Sequence, residues 1–156
     1  MRILVVTNSH FQEYGGPYTA INQTIKYLNK KKIDNKLIYK STNHYNYSLD
    51  LKYIIKDYDI VHIYGIWRPF LAKVFLIAKL LKKKTIISPI GAMEPWAMNQ
   101  KHFKKKIAWK IYQQKILNYS DVVHATCKAE AENLINYSVS SKIEIIPHGI
   151  ENNKKL

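Results

Sequence analysis

Short runs of isoleucine, valine and leucine alternate along the chain with longer stretches whose apolar residues recur at helical spacing. This alternation is typical of successive β-α-β units, which build a parallel sheet. In most of the short runs the apolar residues follow one another directly, so both faces of the sheet should be covered by helices. The predicted strands are 2–8, 35–40, 59–65, 84–89, 121–126 and 143–147. The pattern therefore predicts a doubly wound, Rossmann-like α/β fold with about six parallel strands.

The predicted helices lie between these strands. Ile21, Ile25 and Leu28 recur at i, i+4 and i+7, so they share one face of the first helix. Another helix, over 69–83, has similar spacing and ends in lysines, which stabilise a helix C-terminus. No internal repeat or linker interrupts the chain, and its 156 residues predict one domain.

The formal net charge is +14, and it is carried almost entirely by lysine. Arg2 and Arg68 are the only arginines. Lysine is a point charge, whereas specific readers of nucleic acid use the forked hydrogen bonds of arginine. The charge therefore argues against a nucleic-acid partner and favours an anionic membrane surface or a phosphorylated ligand. The alternative is a compositional bias that places lysines on solvated faces.

Cysteine usage and the apolar runs bear on the compartment. Cys127 is the only cysteine, so no internal disulfide and no cysteine-based metal cluster can form within the chain. The apolar run at the N-terminus is too short for a signal peptide, and no later run approaches the ~20 residues of a membrane span. We therefore expect a cytoplasmic protein that is neither exported by a signal peptide nor integral to a membrane.

The loop after the first strand contains Gly15, Gly16 and Pro17. Two glycines let the backbone approach a ligand closely, and the start of a helix at Pro17 offers free N–H groups to a phosphate. The alternative is a plain tight turn. The dinucleotide-binding pattern Gly-x-Gly-x-x-Gly is absent, and the second strand ends at Lys40-Ser41 instead of at a ribose-binding acid. An NAD-dependent enzyme is therefore disfavoured.

The loops after the third and fourth strands contain aromatic and polar side chains. Trp67 follows the third strand, where its ring could stack on a sugar or pack under the loop. The fourth strand leads into a loop with Gly91, Glu94 and Trp96, flanked by prolines that make it rigid. Glu94 could accept hydrogen bonds from hydroxyl groups, or it could be a solvated loop acid. These loops are the candidate ligand-binding loops, because ligands bind at the carboxyl ends of parallel strands.

Histidines and acids do not form a recognisable catalytic set. His62 and His124 each lie inside an apolar strand, which favours hydrogen-bonded core histidines. No paired carboxylates, no Ser-His-Asp order and no metal-spaced cluster occur in the sequence. The catalytic residue therefore stays unknown, and no metal or cofactor is predicted.

In their order and spacing, five motifs together resemble family 4 glycosyltransferases of the GT-B fold, specifically their N-terminal domain. These motifs are residues 15–17, 61–67, 88–97, 121–126 and 145–151. The resemblance covers nearly the whole chain.

The resemblance implies an enzyme of two Rossmann-like domains, the first holding mainly the acceptor and the second mainly the nucleotide sugar. Residues 1–150 would be the acceptor-side domain, and 151–156 would begin the hinge to a C-terminal donor domain that this sequence lacks. The implied reaction transfers a sugar from a nucleotide sugar to a glycan or lipid-linked acceptor in surface polysaccharide biosynthesis, with retained anomeric configuration and no metal. An alternative is an inactive truncated fragment, or one subunit of a split enzyme that binds the acceptor and needs a separate donor domain.

The resemblance also assigns roles to particular loop residues. The donor diphosphate would contact Gly15 and Gly16. Acceptor contacts would come from Trp67, Gly91, Glu94 and Trp96.

Two positions depart from the family pattern. Many members carry a histidine at the end of the fourth strand, where this chain has 89–91 without one, so no histidine role can be transferred. Cys127 stands where a serine usually caps the next helix, with Glu130 three residues later. This spacing predicts a weakened capping box.

A predicted helix over 100–118 combines lysines with apolar residues. Phe103, Ile107 and Ile111 form one apolar line at i, i+4 spacing, which could dock on the sheet with the lysines facing outward. The lysines proposed to face an anionic membrane are Lys101, Lys104, Lys105, Lys106 and Lys110. We therefore expect a peripheral position on the inner face of a membrane, the alternative being a solvated helix.

Overall fold

A computed structural model gives the fold of the protein. It describes residues 1–9, 15–40 and 47–149, so Glu13, Tyr14 and the predicted hinge 151–156 lie outside the described residues. The strands are β1 (Arg2–Thr7), β2 (Asp34–Tyr39), β3 (Ile60–Tyr64), β4 (Lys84–Ser88), β5 (Val122–Ala125) and β6 (Ile143–Ile145). All six predicted strands are present.

The strands form one sheet in the order β2-β1-β3-β4-β5-β6, and every neighbouring pair is parallel. The prediction of a Rossmann-like parallel sheet is therefore confirmed. The chain leaves β1 on one side to form β2 and then crosses to the other side of β1 to form β3. Ligands of such sheets bind outside the carboxyl ends of the strands at this switch point, here between β1 and β3.

The helices connect consecutive strands. They are α1 (Gly16–Lys30), α2 (Tyr47–Ile55), α3 (Pro69–Leu80), α4 (Pro95–Asn99), α5 (His102–Ala108), α6 (Gln114–Tyr119) and α7 (Lys128–Asn136). A π-helical turn, Trp109–Gln113, joins α5 to α6. Pro17 lies in the first turn of α1, where its missing N–H costs no hydrogen bond.

The main core lies on one face of the sheet. Leu4 and Val6 of β1 point into it, together with buried residues of α2, α3, α6 and α7. Leu117 and Leu134 are fully buried there, so each contributes about 1.5–3 kcal/mol by leaving water. This face is covered by four helices, and it holds most of the apolar burial in the described chain.

The opposite face is covered less completely. Val5 of β1 and Tyr64 of β3 pack there against Ile21 of α1. Of the 15 residues of α1, Ala20 and Ile21 are buried. Among the described helices, α1 alone packs into this second cluster. Beyond it, the same face of β3 to β6 forms the floor of a groove.

One partly buried carboxylate, that of Asp121, fixes the start of β5 against β4. Asp121 accepts hydrogen bonds from Lys79 Nζ at 2.8 Å and from the N–H and hydroxyl of Thr85 at 2.9 Å each. Burial acts to raise the pKa of Asp121, but these hydrogen bonds and a further one from Lys84 outweigh it, so the pKa is lowered. Asp121 is therefore held ionised between two strands.

Candidate functional site

The N-terminus of α1 lies at the carboxyl edge of the sheet, because α1 follows β1. Gly15 precedes the helix with φ of 56°, a backbone conformation that L side chains rarely adopt. A Cβ on Gly15 or Gly16 would meet no atom within 4 Å, so nothing in the described chain covers either glycine. The first turn of α1 carries no acidic residue that would occupy its N–H groups. Such a helix end can receive an anionic group.

Trp67 is held inside the loops that follow β3 and β4. Its indole N–H donates to the carbonyl of Ala92 at 3.3 Å, and its backbone N–H donates to Gln113 Oε1 at 2.9 Å. The Trp109 ring lies 6.1 Å away, and Lys105 Nζ lies 5.6 Å from the Trp67 ring centroid. These contacts favour the interpretation in which Trp67 packs under the loop.

The loop after β4 has a constrained backbone. Ile90 and Gly91 both adopt positive φ, 52° and 70°. The Gly91 N–H donates to Glu130 Oε1 at 2.7 Å. Glu94 follows in the same loop, and its Oε2 accepts a hydrogen bond from Asn133 Nδ2 at 3.1 Å. Gly91 and Glu94 are therefore both tied to α7, and this fixes the shape of the loop.

Glu130 is the residue that fixes this loop, and the sequence assigned it only a capping role. It is 1% exposed. Besides Gly91, it accepts two hydrogen bonds of 2.8 Å through Oε2, from the N–H and the hydroxyl of Thr126. Cys127 makes no side-chain cap, and the bonds from Thr126 tie Glu130 to the chain just before the start of α7. The signal in the sequence was an acid in the first turn of a helix next to Thr126.

Trp96 differs from Trp67 in its surroundings. It lies in α4 and is 65% exposed. Glu94 precedes α4 and Trp96 lies in its first turn. Compared with Trp67, Trp96 has the more exposed ring. The carboxyl edge thus carries Gly15 and Gly16 on the loop after β1, and Gly91, Glu94 and Trp96 on the loop after β4.

The groove beside α1 has a volume of ≈ 810 Å³. Its floor is formed by the side chains of β3 to β6 that point away from the main core, including Ile86 and Val122. Tyr27 and Leu28 of α1 line one wall, and Pro147 lies beyond β6 on the other. The groove is mostly apolar, so a ligand there would be held chiefly by contact with carbon atoms.

A hydrogen-bonded chain crosses the floor of this groove. His62 Nε2 and His124 Nδ1 each lie 2.8 Å from Ser88 Oγ, and His124 Nε2 lies 2.7 Å from the carbonyl of Ile146. A carbonyl can only accept, so a neutral His124 donates from Nε2 and accepts at Nδ1. Ser88 then donates to His124 and accepts from His62 Nε2. Both histidines are hydrogen-bonded, as the sequence predicted.

Two histidines of the groove, His62 and His148, have lowered pKa values and are therefore neutral at physiological pH. Burial, followed by the charges of His124 and His148, lowers the pKa of His62 to about 3. Burial also lowers the pKa of His148, whose Nε2 is buried without a hydrogen-bond partner. The network aligns the strands and the segment after β6, and His62 adds no positive charge to the groove at physiological pH.

The predicted membrane-facing lysines are not equivalent. Lys101, Lys104, Lys106 and Lys110 are exposed. Lys105 turns inward, where its ammonium donates to the carbonyl of Ala97. Burial and the charge of Lys101 lower its pKa.

Residues 1–9, 15–40 and 47–149 contain neither a metal-binding cluster nor a membrane-spanning helix. Within these ranges no group of three or more histidine, cysteine, aspartate or glutamate side chains could hold a metal ion. No helix in the same ranges is long and apolar enough to cross a membrane. Cys127 is a free, exposed thiol.

The fold is similar to that of solved glycosyltransferase structures. HepE of Anabaena (Alr3699) matches with a TM-score of 0.66 at 13% identity in its complex with UDP-glucose, and 0.64 at 12% in its complex with UDP. Each match covers 96% of this chain and 44% of HepE. An alpha-glucosyltransferase solved with UDP and a 13-mer DNA matches with a TM-score of 0.56 at 14% identity, over 92% of this chain and 40% of that one. The chain thus spans less than half the length of these structures.

Comparison with curated proteins finds no match. A family model does match: Glycosyltransferase Family 4 covers residues 3–154, which is nearly the whole chain. The match extends from β1 to beyond β6 and includes every loop of the carboxyl edge. The chain belongs to Glycosyltransferase Family 4.

Proposed function

We propose that the chain is the acceptor-side half of a glycosyltransferase that moves a sugar from a nucleotide sugar to a glycan or lipid-linked acceptor. The N-terminus of α1 carries this proposal. At the switch point between β1 and β3, no described residue outside the chain neighbours and the helix itself comes within 4 Å of a Cβ added to Gly15 or Gly16. A diphosphate placed there would meet the positive end of a 15-residue helix.

The rigid loop after β4 supports an acceptor role for the same edge. Gly91 and Glu94 are fixed to α7 by hydrogen bonds, so their backbone is preorganised before a ligand arrives. Preorganised polar groups lose little entropy on binding and can orient a sugar hydroxyl. Trp96, exposed beside them, offers an apolar face of the kind that sugar rings use.

The donor pocket belongs in a second domain, which agrees with the 44% share of HepE that this chain covers. HepE was solved with UDP-glucose. We propose that residues 1–150 act with a donor domain joined by a hinge or supplied as a separate chain. The reaction would retain the anomeric configuration and serve surface polysaccharide synthesis in the cytoplasm. It would need no metal, because helix ends and basic side chains can stabilise the leaving diphosphate.

The proposal is tested by assaying sugar transfer with a panel of nucleotide sugars and lipid-linked or oligosaccharide acceptors. The 156-residue chain is assayed alone and mixed with the C-terminal donor domain of a family 4 glycosyltransferase. We expect negligible transfer alone and transfer in the mixture, because catalysis needs groups from both sides of the cleft. NMR of the product reports the anomeric configuration. A mixture that binds both ligands without transfer would favour an acceptor-binding module instead.

The role of the glycine loop is tested by Gly16→Ala in the same mixture. Gly16 is helical and has open space around it, so the added methyl group has no contact to disturb in the fold. Gly149→Ala is the matched control, because it also has nothing within 4 Å and does not have a positive φ. Weaker donor binding with Gly16→Ala alone supports the role. Equal donor binding by both variants and the wild type would contradict it.

A further inference from the structure

The helical segment formed by α5, the π-helical turn and α6 has two apolar lines. Trp109 and Tyr112 belong to the line that packs on the main core. Phe103, Ile107 and Ile111 form the other line, and they are 80%, 59% and 64% exposed. The sequence left open whether this second line docks on the sheet. In the structure it faces away from the core.

Basic residues border the exposed line on both sides. At about 100° of rotation per helical residue, Lys104 falls on one side of the line and Lys106 on the other. Lys110 is exposed further along the segment. Between Glu94 and Asp121 the sequence contains no acidic residue. The exposed face therefore has an apolar centre bordered by lysines, on a segment without acidic residues.

We propose that this face binds an anionic lipid surface. Helices that lie in a membrane interface carry bulky apolar residues on one side and lysines that reach back to the headgroups. The cores of protein interfaces, in contrast, are depleted of lysine. Scattered exposed apolar residues are common on soluble proteins, whereas a continuous line bordered by one sign of charge marks a binding surface.

Two contributions hold the face to the lipid. Each lysine near an anionic surface strengthens binding about fivefold, so three exposed lysines contribute on the order of a hundredfold. Phe103, Ile107 and Ile111 add binding by leaving water for the acyl boundary. Lys105 contributes neither, because it is directed inward to Ala97 and braces α5 against α4.

The proposal is tested by co-sedimentation of the 156-residue chain with vesicles. One set contains phosphatidylcholine alone, and the other contains equal parts of phosphatidylcholine and phosphatidylglycerol. We expect binding to the mixed vesicles at low salt and much weaker binding at high salt, because salt screens exposed charges. No binding to the mixed vesicles, or equal binding to both kinds, would overturn the proposal.

Two sets of variants separate charge from insertion. The charge variant is Lys104→Gln, Lys106→Gln and Lys110→Gln, and its control is Lys30→Gln, Lys36→Gln and Lys52→Gln, which removes the same charge from exposed positions elsewhere. The apolar variant is Phe103→Ser, Ile107→Ser and Ile111→Ser, and its control is Leu76→Ser, Leu80→Ser and Ile135→Ser, which are comparably exposed. We expect the charge variant to lose roughly a hundredfold in vesicle affinity. The apolar variant should also lose affinity, and both controls should bind as the wild type does.

Insertion is measured independently by Phe103→Trp: brominated lipids should quench its fluorescence more than that of the wild type, which contains three native tryptophans. Leu80→Trp, on α3, is the control, and its fluorescence should be quenched no more than that of the wild type. Equal quenching of the two would overturn the proposed orientation. A competing outcome is self-association: if sedimentation velocity shows a dimer that the apolar variant abolishes and no vesicle binding occurs, the face is a protein interface and the lipid proposal is wrong.

Discussion

Replacing Glu130 by glutamine should destabilise the chain although it changes a single atom. The carboxylate accepts from Gly91 through Oε1 and from Thr126 through Oε2, so both oxygens are engaged. Glutamine keeps one acceptor and puts an amide NH₂ where the other stood. In the orientation that preserves both bonds from Thr126, this NH₂ faces the N–H of Gly91. Two donors then meet in a site that is 1% exposed.

The magnitude follows from these contacts. One hydrogen bond to a charged acceptor is lost, which costs about 1.5–3 kcal/mol, and a buried N–H is left without a partner, which costs about 1–3 kcal/mol more. Relief from burying a charge offsets part of this cost. We therefore expect the free energy of unfolding to fall by about 2–3 kcal/mol. Glu132→Gln, at an exposed position of the same helix, is the control and should change it by less than ~0.5 kcal/mol.

Urea unfolding followed by circular dichroism measures the free energy, and hydrogen exchange of the Gly91 amide reports the loop directly. The Glu130 variant should exchange faster at Gly91, because its N–H has lost its acceptor. A stability within ~0.5 kcal/mol of the wild type, together with unchanged exchange at Gly91, would refute the idea that Glu130 fixes this loop.

Other substitutions test the groove, the sheet and the loop backbone. His62 has an ordinary pKa of 6.5 and a folded value of about 3, so between these pH values the unfolded chain binds a proton at His62 and the folded chain does not. Stability to urea should therefore decrease as the pH is lowered through this window, by at most ~1.4 kcal/mol per pH unit. The decrease should be less steep in His62→Gln. The lowered pKa of Asp121 stabilises the fold above the ordinary value of 3.8 and less as pH falls below it. Asp121→Asn should therefore flatten the acid limb of the unfolding profile; an unchanged limb would contradict the assignment. Gly91→Ala should lower the melting temperature through its positive φ, by a free energy of about 1–2 kcal/mol, whereas Gly149→Ala should leave it unchanged.

The strands could be predicted because their apolar runs are long enough to identify without knowing their neighbours. β3 and β4 begin and end within one residue of the predicted ranges. The prediction that helices cover both faces holds over β1, where α1 packs on Val5. Over the groove, whose floor carries His62 and His124, none of the described helices packs on the sheet. Polar residues at alternate strand positions were the sequence signal for a face that is not fully covered. They lie within continuous apolar runs, however, and those runs predicted two covered faces.

The loop contacts could not be predicted, because they join residues far apart in the chain. Glu130 and Gly91 are 39 positions apart, and nothing in either local sequence specifies the other. Trp67 adopts a positive φ of 70°, which local preference disfavours and which only its packing explains. Helical spacing likewise identified the line through Phe103, but a helix with two apolar lines does not reveal which one faces the sheet.

The light packing of α1 on the sheet affects how the N-terminus of this helix moves. A helix anchored by two buried side chains opens locally at a small fraction of the cost of global unfolding. Its amides should therefore exchange with solvent earlier than those of β1 and β3, which lie between other strands. The glycine end of α1 belongs to this lightly packed helix, so a ligand can reposition it without straining the sheet. Binding would in turn protect the helix, and α1 would report occupancy through its own order.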